Sequence, residues 1–136
     1  MTDPGFALQK AIMASLRADA LVQSYLGTPP RLFDDPPRDM IFPYVSLGPG
    51  TLADNDTASE RGHVHSFVFD IWSRQGGRRE VRAIIGAIET VLHDAVLALD
   101  GHTLVNLRFQ FADTFRDPDG ETMRGTVRYR AVTAPL

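Results

Sequence analysis

The chain opens with a stretch whose apolar residues repeat at the spacing of an amphipathic helix. Within residues 6–26 they recur every four positions, at Leu8, Ile12 and Leu16. Asp19 interrupts this stretch where an N-cap would fit. The residues after it therefore form either a second short helical turn or a continuation of the same helix.

A second helical stretch, from Arg78 to Val96, has the clearest pattern in the chain. Its apolar residues fall on one face at spacings of three and four, at Val81, Ile84, Ile85, Ile88, Leu92 and Ala95. Arg78 and Arg79 stand at the positive end of the helix dipole, which disfavours cations there. Their side chains are expected to face a carboxylate, a partner or solvent.

Four further stretches carry the residues typical of β-strands. They are Ile41–Leu47, which the Gly48-Pro49-Gly50 segment ends, His63–Ser73, Thr103–Ala112 and Glu121–Val132. A short strand is also possible at Arg31–Phe33 and another between Leu97 and Gly101.

The last two of these four strands form a hairpin. The sequence between them, Asp117-Pro118-Asp119-Gly120, is typical of a tight turn. Strict alternation in the first strand places four apolar residues inward, namely Val105, Leu107, Phe109 and Phe111. In the second it places Met123, Val127, Tyr129 and Ala131 inward.

Strands therefore occur in groups and do not alternate one by one with helices. This order predicts an α+β fold, a mostly antiparallel sheet with two α-helices packed on one face. The length of 136 residues is that of one domain, residues 1–136.

The segment 49–62 is polar and rich in small residues, and it is predicted to be a flexible loop. Connections of this length are usually functional or disordered. We expect it to act as a docking arm, and its interface residues are taken to be Asp54, Asn55, Asp56 and Arg61.

Four arginines fall on the outward face of the two strands of the predicted hairpin, at Arg108, Arg124, Arg128 and Arg130. Alternation puts no aromatic side chain among them, so a stacking platform for single-stranded nucleic acid is poorly supported. Solvation or pairing with another subunit is favoured, and nucleic-acid binding stays the alternative.

The amino-acid composition excludes several classes of protein and of functional site. The chain has no cysteine, which excludes disulfides, thiol catalysis and cysteine-based zinc sites. Its net charge of −3 argues against general binding of polyanions. Its apolar runs are too short for a membrane helix, and the first residues do not resemble a signal peptide. A small soluble intracellular domain is expected, with no membrane partner.

No catalytic or cofactor constellation is found. His63 and His65 share one strand face and suit two ligands of a zinc site, but a third ligand is missing. Asp54-Asn55-Asp56 resembles the start of a calcium loop, yet Ser59 and His65 stand where glycine and glutamate are needed. No enzyme activity, cofactor or metal is expected.

Several segments resemble the tail-completion or tail-terminator proteins of phages with long non-contractile tails, which also occur in prophages and gene transfer agents. The resemblance runs from about Ala7 to Thr133. It is carried by FPYVSLG at Phe42–Gly48, FDIWSRQGGRREVRAIIGAIETVLHD at Phe69–Asp94 and DTFRDPDGETMRGTVRYRAVT at Asp113–Thr133. The matching residues are ones that shape the fold and its turns. The resemblance assigns no catalytic residue to this chain.

This resemblance implies a ring, usually a hexamer, that caps the head-proximal end of the tail tube and stops its polymerisation. The partners it implies are other copies of the chain, the major tail-tube protein and a head–tail connector or stopper. DNA passing through the ring is the one nucleic-acid contact expected. The location it implies is the bacterial cytoplasm during assembly and then the particle. Another connector or stopper of the neck is the alternative within the same machine.

Overall fold

Three helices and six strands make up the part of the chain that the computed structural model describes, residues 3–55 and 61–136. In chain order they are α1 (Pro4–Ala18), α2 (Ala20–Leu26), β1 (Leu32–Phe33), β2 (Tyr44–Asp54), β3 (His63–Ser73), α3 (Arg79–Leu92), β4 (Ala98–Leu99), β5 (His102–Arg116) and β6 (Met123–Pro135). None of these helices is long and apolar enough to cross a membrane.

The strands form one sheet in the order β1-β2-β3-β6-β5-β4. All neighbours are antiparallel except the short β1, which pairs parallel to β2. The helices pack on one face of this sheet, so the predicted α+β fold is confirmed. The opening helix is divided in two because the Asp19 backbone is extended and its carboxylate accepts a 3.0 Å hydrogen bond from the Val22 amide.

Strand β2 differs from its prediction at both ends. Pro43 lies before the strand, and the pairing continues through Gly48-Pro49-Gly50 as far as Asp54, opposite His63. A shift of register between Leu47 and Gly50 accommodates Pro49, which has no amide to donate. The first part of the predicted loop 49–62 is therefore strand, and residues 56–60 lie outside the described residues.

Strand β5 is longer than predicted and carries two irregularities. Its register with β6 shifts between Leu104 and Asn106 and again between Phe109 and Phe111. Each shift changes which face the following side chains occupy. The inward placement of Val105 and Phe111 was wrong, since these side chains are 57% and 45% exposed.

Helix α3 supplies much of the core. Its apolar face is buried at Val81, Ile84, Ile85, Ala87, Ile88 and Leu92. It ends at Leu92, four residues before its predicted end, because the next backbone joins the sheet edge. The Asp94 amide donates to the Leu107 carbonyl at 2.8 Å, and the Phe109 amide donates to His93 Nδ1 at 3.2 Å. This contact covers part of the open edge of β5.

Under α3, the inward face of the sheet is lined by a cluster of aromatic rings. Tyr129 is fully buried, stacks with Phe67 at a centroid distance of 5.8 Å, and meets Phe69 and Phe109 edge to face. The predicted inward residues of β6 are confirmed.

Gly125 is the point on β6 where α3 approaches most closely. A methyl group at this position would overlap Val81 Cγ1, whereas Gly86, exposed within α3, has open space around it. We expect Gly125→Ala to lower the free energy of unfolding by about 1–3 kcal/mol through overpacking. Gly86→Ala is the matched control and should raise it by up to about 1 kcal/mol, because alanine favours the helix. Urea unfolding measures both, and an unchanged Gly125→Ala would contradict this packing.

Candidate interaction surface

The outward face of the sheet carries aromatic side chains among the predicted arginines. The Arg124 guanidinium lies over the Trp72 ring at 3.8 Å from the centroid and 5.3 Å from that of Phe115. Tyr44 stacks on the other side of Trp72 at 5.7 Å. The expectation that this face lacks aromatic residues was wrong, because the shift in β5 turns Phe111 outward and Trp72 shares its face with Asp70.

Arg124 belongs to a closed structural cluster. Its guanidinium nitrogens lie 3.6 Å from the Asp70 carboxylate and 3.7 Å from that of Asp117. Thr126 Oγ1 donates a further hydrogen bond to Asp70 at 3.1 Å. Only 23% of the Arg124 side chain is exposed. Of the four arginines predicted on this face, Arg124 is therefore paired within its own subunit.

The other three arginines form what we call the cationic patch, Arg108, Arg128 and Arg130. Arg108 and Arg130 lie directly opposite each other on β5 and β6. Like charges in this position destabilise a sheet unless an anion lies near them. Arg128 is exposed and contacts the Phe111 ring at 5.6 Å. The one ion pair found for the patch in residues 3–55 and 61–136 joins Arg108 to Asp94, at 3.6 Å and with both side chains more than half exposed.

The predicted docking arm begins as an ordered hairpin between β2 and β3. The Asn55 amide donates to the Gly62 carbonyl at 2.9 Å, and the Asp54 carboxylate lies 3.9 Å from His63 Nε2. Arg61 is exposed, and Asp56 lies outside the described residues. No hydrogen bond or ion pair between the described hairpin residues and the cationic patch is found within one subunit.

The two histidines of β3, His63 and His65, lie in different environments. His65 is buried and its Nε2 lies 2.9 Å from Thr133 Oγ1. Burial, with the nearby His63 adding to it, lowers the pKa of His65 from 6.5 to about 4. The described part of the chain holds no group of three potential metal ligands.

Arg74 is a residue that the sequence pattern did not single out. Its Nε donates to Thr122 Oγ1 at 3.2 Å, and its guanidinium lies 4.3 Å from the Phe42 centroid. It thus joins the segment before β2 to the β5–β6 turn. In that turn Asp119 accepts hydrogen bonds from the backbone and side chain of Thr122, which lower the pKa of its carboxyl group. The acidic residues of this turn therefore stabilise the turn, as the sequence predicted.

We expect Arg124→Ala to lower the free energy of unfolding by about 2 kcal/mol, because it leaves two half-buried carboxylates without their cation. Arg128→Ala is the matched control, an exposed arginine on the same strand, and should change it by less than about 0.5 kcal/mol. Urea unfolding at neutral pH compares the two. Equal effects would show that Arg124 is as dispensable to the fold as Arg128.

His65 predicts how stability depends on pH. The unfolded chain takes up this proton near pH 6.5 and the folded chain only near pH 4. The free energy of unfolding should therefore fall as the pH drops from about 6.5 to about 4, with a contribution of up to about 3 kcal/mol from this residue. Subtracting the profile of His65→Gln from that of the parent isolates this contribution. A flat difference for His65→Gln would contradict the assignment.

The chain is similar in sequence and fold to tail completion proteins. The family model of the tail completion protein gp17 matches residues 10–134. The tail completion protein gp17 of Bacillus phage SPP1 is 28% identical over 126 residues, covering 91% of this chain and 90% of that protein.

Two solved structures are similar over nearly the whole chain. A chain in the virion of a native gene transfer agent particle is 31% identical, with a TM-score of 0.88 and coverage of 98% of this chain and 99% of that one. The structure of the bacteriophage SPP1 gp17 protein is 25% identical, with a TM-score of 0.64 and coverage of 93% and 88%. The chain therefore belongs to the family of the tail completion protein gp17, whose members are structural proteins of tails and not enzymes.

Proposed function

We propose that this chain forms a closed ring of identical subunits, a hexamer, at the head-proximal end of a phage-like tail tube. The ring ends polymerisation of the tube and provides the surface to which the head connector or stopper docks. The observation that carries this proposal is the TM-score of 0.88, over 98% of this chain, to a subunit of a gene transfer agent virion.

A closed ring needs two different surfaces on each subunit that fit each other. The cationic patch offers one, because its guanidinium groups outnumber the carboxylates found beside them in the described residues. The β2–β3 hairpin offers the other, with Asp54, Asn55 and Arg61 among its described residues. Asp56, which lies outside the described residues, is assigned to the same surface by its place in the sequence. We assign these residues to contacts between subunits or with the tube and connector. Arg124 is left out, since its charge is compensated internally.

The β2–β3 hairpin is also the segment best placed to dock with the tube or the connector. Residues 50–55 at its described end are all exposed. Charge pairs between such surfaces set geometry and specificity more than affinity. The chain then works first in the bacterial cytoplasm, where the tail is assembled, and afterwards within the particle.

The exposed Phe111 beside Arg128 favours one second candidate, contact with nucleic acid. An arginine and an aromatic ring side by side are the elements of a single-strand binding surface. In a ring this contact is the one with DNA that passes through its lumen. Binding of free DNA that weakens steeply with salt, and that Arg128→Glu abolishes, would make nucleic-acid binding the primary function.

Replacing Asp54–Arg61 by Asn-Gly tests the proposal in cells that produce the particles. The strands end beside this segment, so we expect the purified variant to unfold within about 0.5 kcal/mol of the parent. Electron microscopy should nevertheless show overlong tubes or tails that fail to join heads, as in cells that lack the gene. Arg82→Ala, an exposed change on α3, should give normal particles.

Two outcomes separate the parts of this proposal. Normal particles from the hairpin variant would refute the docking arm and leave the terminator role standing. Tails of normal length joined to heads in cells without the gene would refute the terminator role itself.

A further inference from the structure

Strand β2 has an open edge over its second half. On the side opposite β3 its only neighbour is the two-residue β1, whose pairing ends before the register shift in β2. The Asn55 amide donates to Gly62 across the hairpin, so alternation directs the backbone polar groups of Gly50, Leu52 and Asp54 away from β3. Within the described residues these groups have no partner, and this whole stretch is exposed.

Strand β5 has an open edge of the same length. Its first part is covered by β4 and by the segment after α3, which binds the backbone of Leu107 and Phe109. Beyond the second register shift, alternation directs the backbone polar groups of Ala112, Thr114 and Arg116 away from β6. In the part of the chain that the structure describes, no strand or loop binds them.

An open edge of this kind is completed by another extended strand. Neither residues 50–54 nor residues 112–116 contain a proline or a register shift that would prevent regular pairing. The long strands β2, β3, β6 and β5 are antiparallel in turn, so the first and the last run in opposite directions. Rotating the subunit about an axis roughly along its strands therefore sets β5 of one copy antiparallel to β2 of the next.

One register joins the two stretches along their whole length. It sets Leu52 opposite Thr114, two side chains that face the helix side of their own sheets. The flanking pairs are Asp54 with Ala112 and Gly50 with Arg116. The two sheets then continue into each other with their faces matched, whereas a slip of one residue would reverse the faces.

Charge favours the same register. The groove beside Gly50 is lined by Asp3 and Asp34 and by no lysine or arginine. Arg116 donates a side-chain hydrogen bond to the Gly120 carbonyl at 3.3 Å but has no carboxylate partner among the described residues. Because Gly50 has no side chain, an arginine opposite it has room to turn towards these carboxylates.

We propose that residues 50–54 of β2 pair antiparallel with residues 112–116 of β5 in a second copy of this chain, so that one sheet continues around the ring. The inference rests on the proposed function, because a closed ring requires two different surfaces that fit each other. It goes beyond that function by naming the two strand edges that meet and their register.

The absence of natural cysteine permits a direct test. In Ala53→Cys with Asp113→Cys, the two thiols occupy a non-hydrogen-bonded pair of the proposed register, where Cα atoms lie about 4.5 Å apart and a disulfide can form. Oxidation of rings should give a ladder of covalent multimers up to the closed ring, and each single variant should give dimers at most. Ala53→Cys with Thr103→Cys is the matched control, because Thr103 is exposed on β5 but lies outside the open stretch.

The oxidation is performed on whichever preparation shows rings by electron microscopy, the purified protein or isolated particles. Rings without a ladder, or with an equal ladder in the Thr103 control, overturn the edge pairing and leave the ring standing. Efficient dimers of Ala53→Cys alone, in place of the ladder, would show that like edges join and overturn it too. Absence of rings from both preparations overturns the proposed function and the edge pairing with it.

A proline tests the backbone contact without cross-linking. Leu52→Pro removes an amide that binds nothing in its own subunit, and an edge strand tolerates proline at such a position. Its unfolding temperature should stay close to that of the parent, while ring formation in the same preparation should fall about tenfold or more. Leu52→Ala is the matched control and should assemble as the parent does, because it loses the side chain but keeps the amide.

The same comparison on β5 uses Thr114→Pro against Thr114→Ala, and it decides the question if Leu52→Pro does not fold. The Thr114 amide also points away from its own sheet, so only the proline variant should lose assembly. Equal ring formation by folded proline and alanine variants would contradict the proposal.

Discussion

The packing of α3 against the inward face of β3, β6 and β5 is the constraint on which the rest of this structure depends. The helix buries an unbroken apolar face over the aromatic cluster around Tyr129, and the missing side chain at Gly125 allows it to approach β6. With α3 fixed there, the segment after Leu92 is drawn onto the edge of β5 through the Asp94 and Phe109 amides. The position of the segment between α3 and β4 follows from that contact.

The opposite face of the sheet divides its arginines between the stability of the domain and the proposed interface. Near the β5–β6 turn, Arg124 is enclosed by Trp72, Phe115 and two carboxylates, so its charge stabilises the domain. Further along the same strand, Arg128 and Arg130 have no carboxylate partner among the described residues. A like-charged pair across two strands is tolerated more easily if an anion from another molecule completes it. This division is why the proposed interface keeps three of the four arginines predicted on this face.

Much of this fold follows from local patterns in the sequence. The apolar face of α3, the alternation in β3, and the Asp117–Gly120 turn with its hairpin each depend on neighbouring residues, and the structure confirms them. The irregularities in β2 and β5 were missed because a bulge depends on the partner strand and not on the strand's own alternation. Those bulges decide that Phe111 faces outward and that β2 continues past Pro49. The Arg124 cluster and Arg74 were missed for the same reason, since their partners lie on different strands or turns.

The central claim is that the chain acts as a closed ring at the end of a tail tube. Cryo-electron microscopy of tails assembled with this protein, at a resolution that separates subunits, tests it most directly. The account predicts one closed layer of six subunits at the head-proximal end. Single subunits, or two-fold pairs that join like surfaces, at that end of the tube would contradict it.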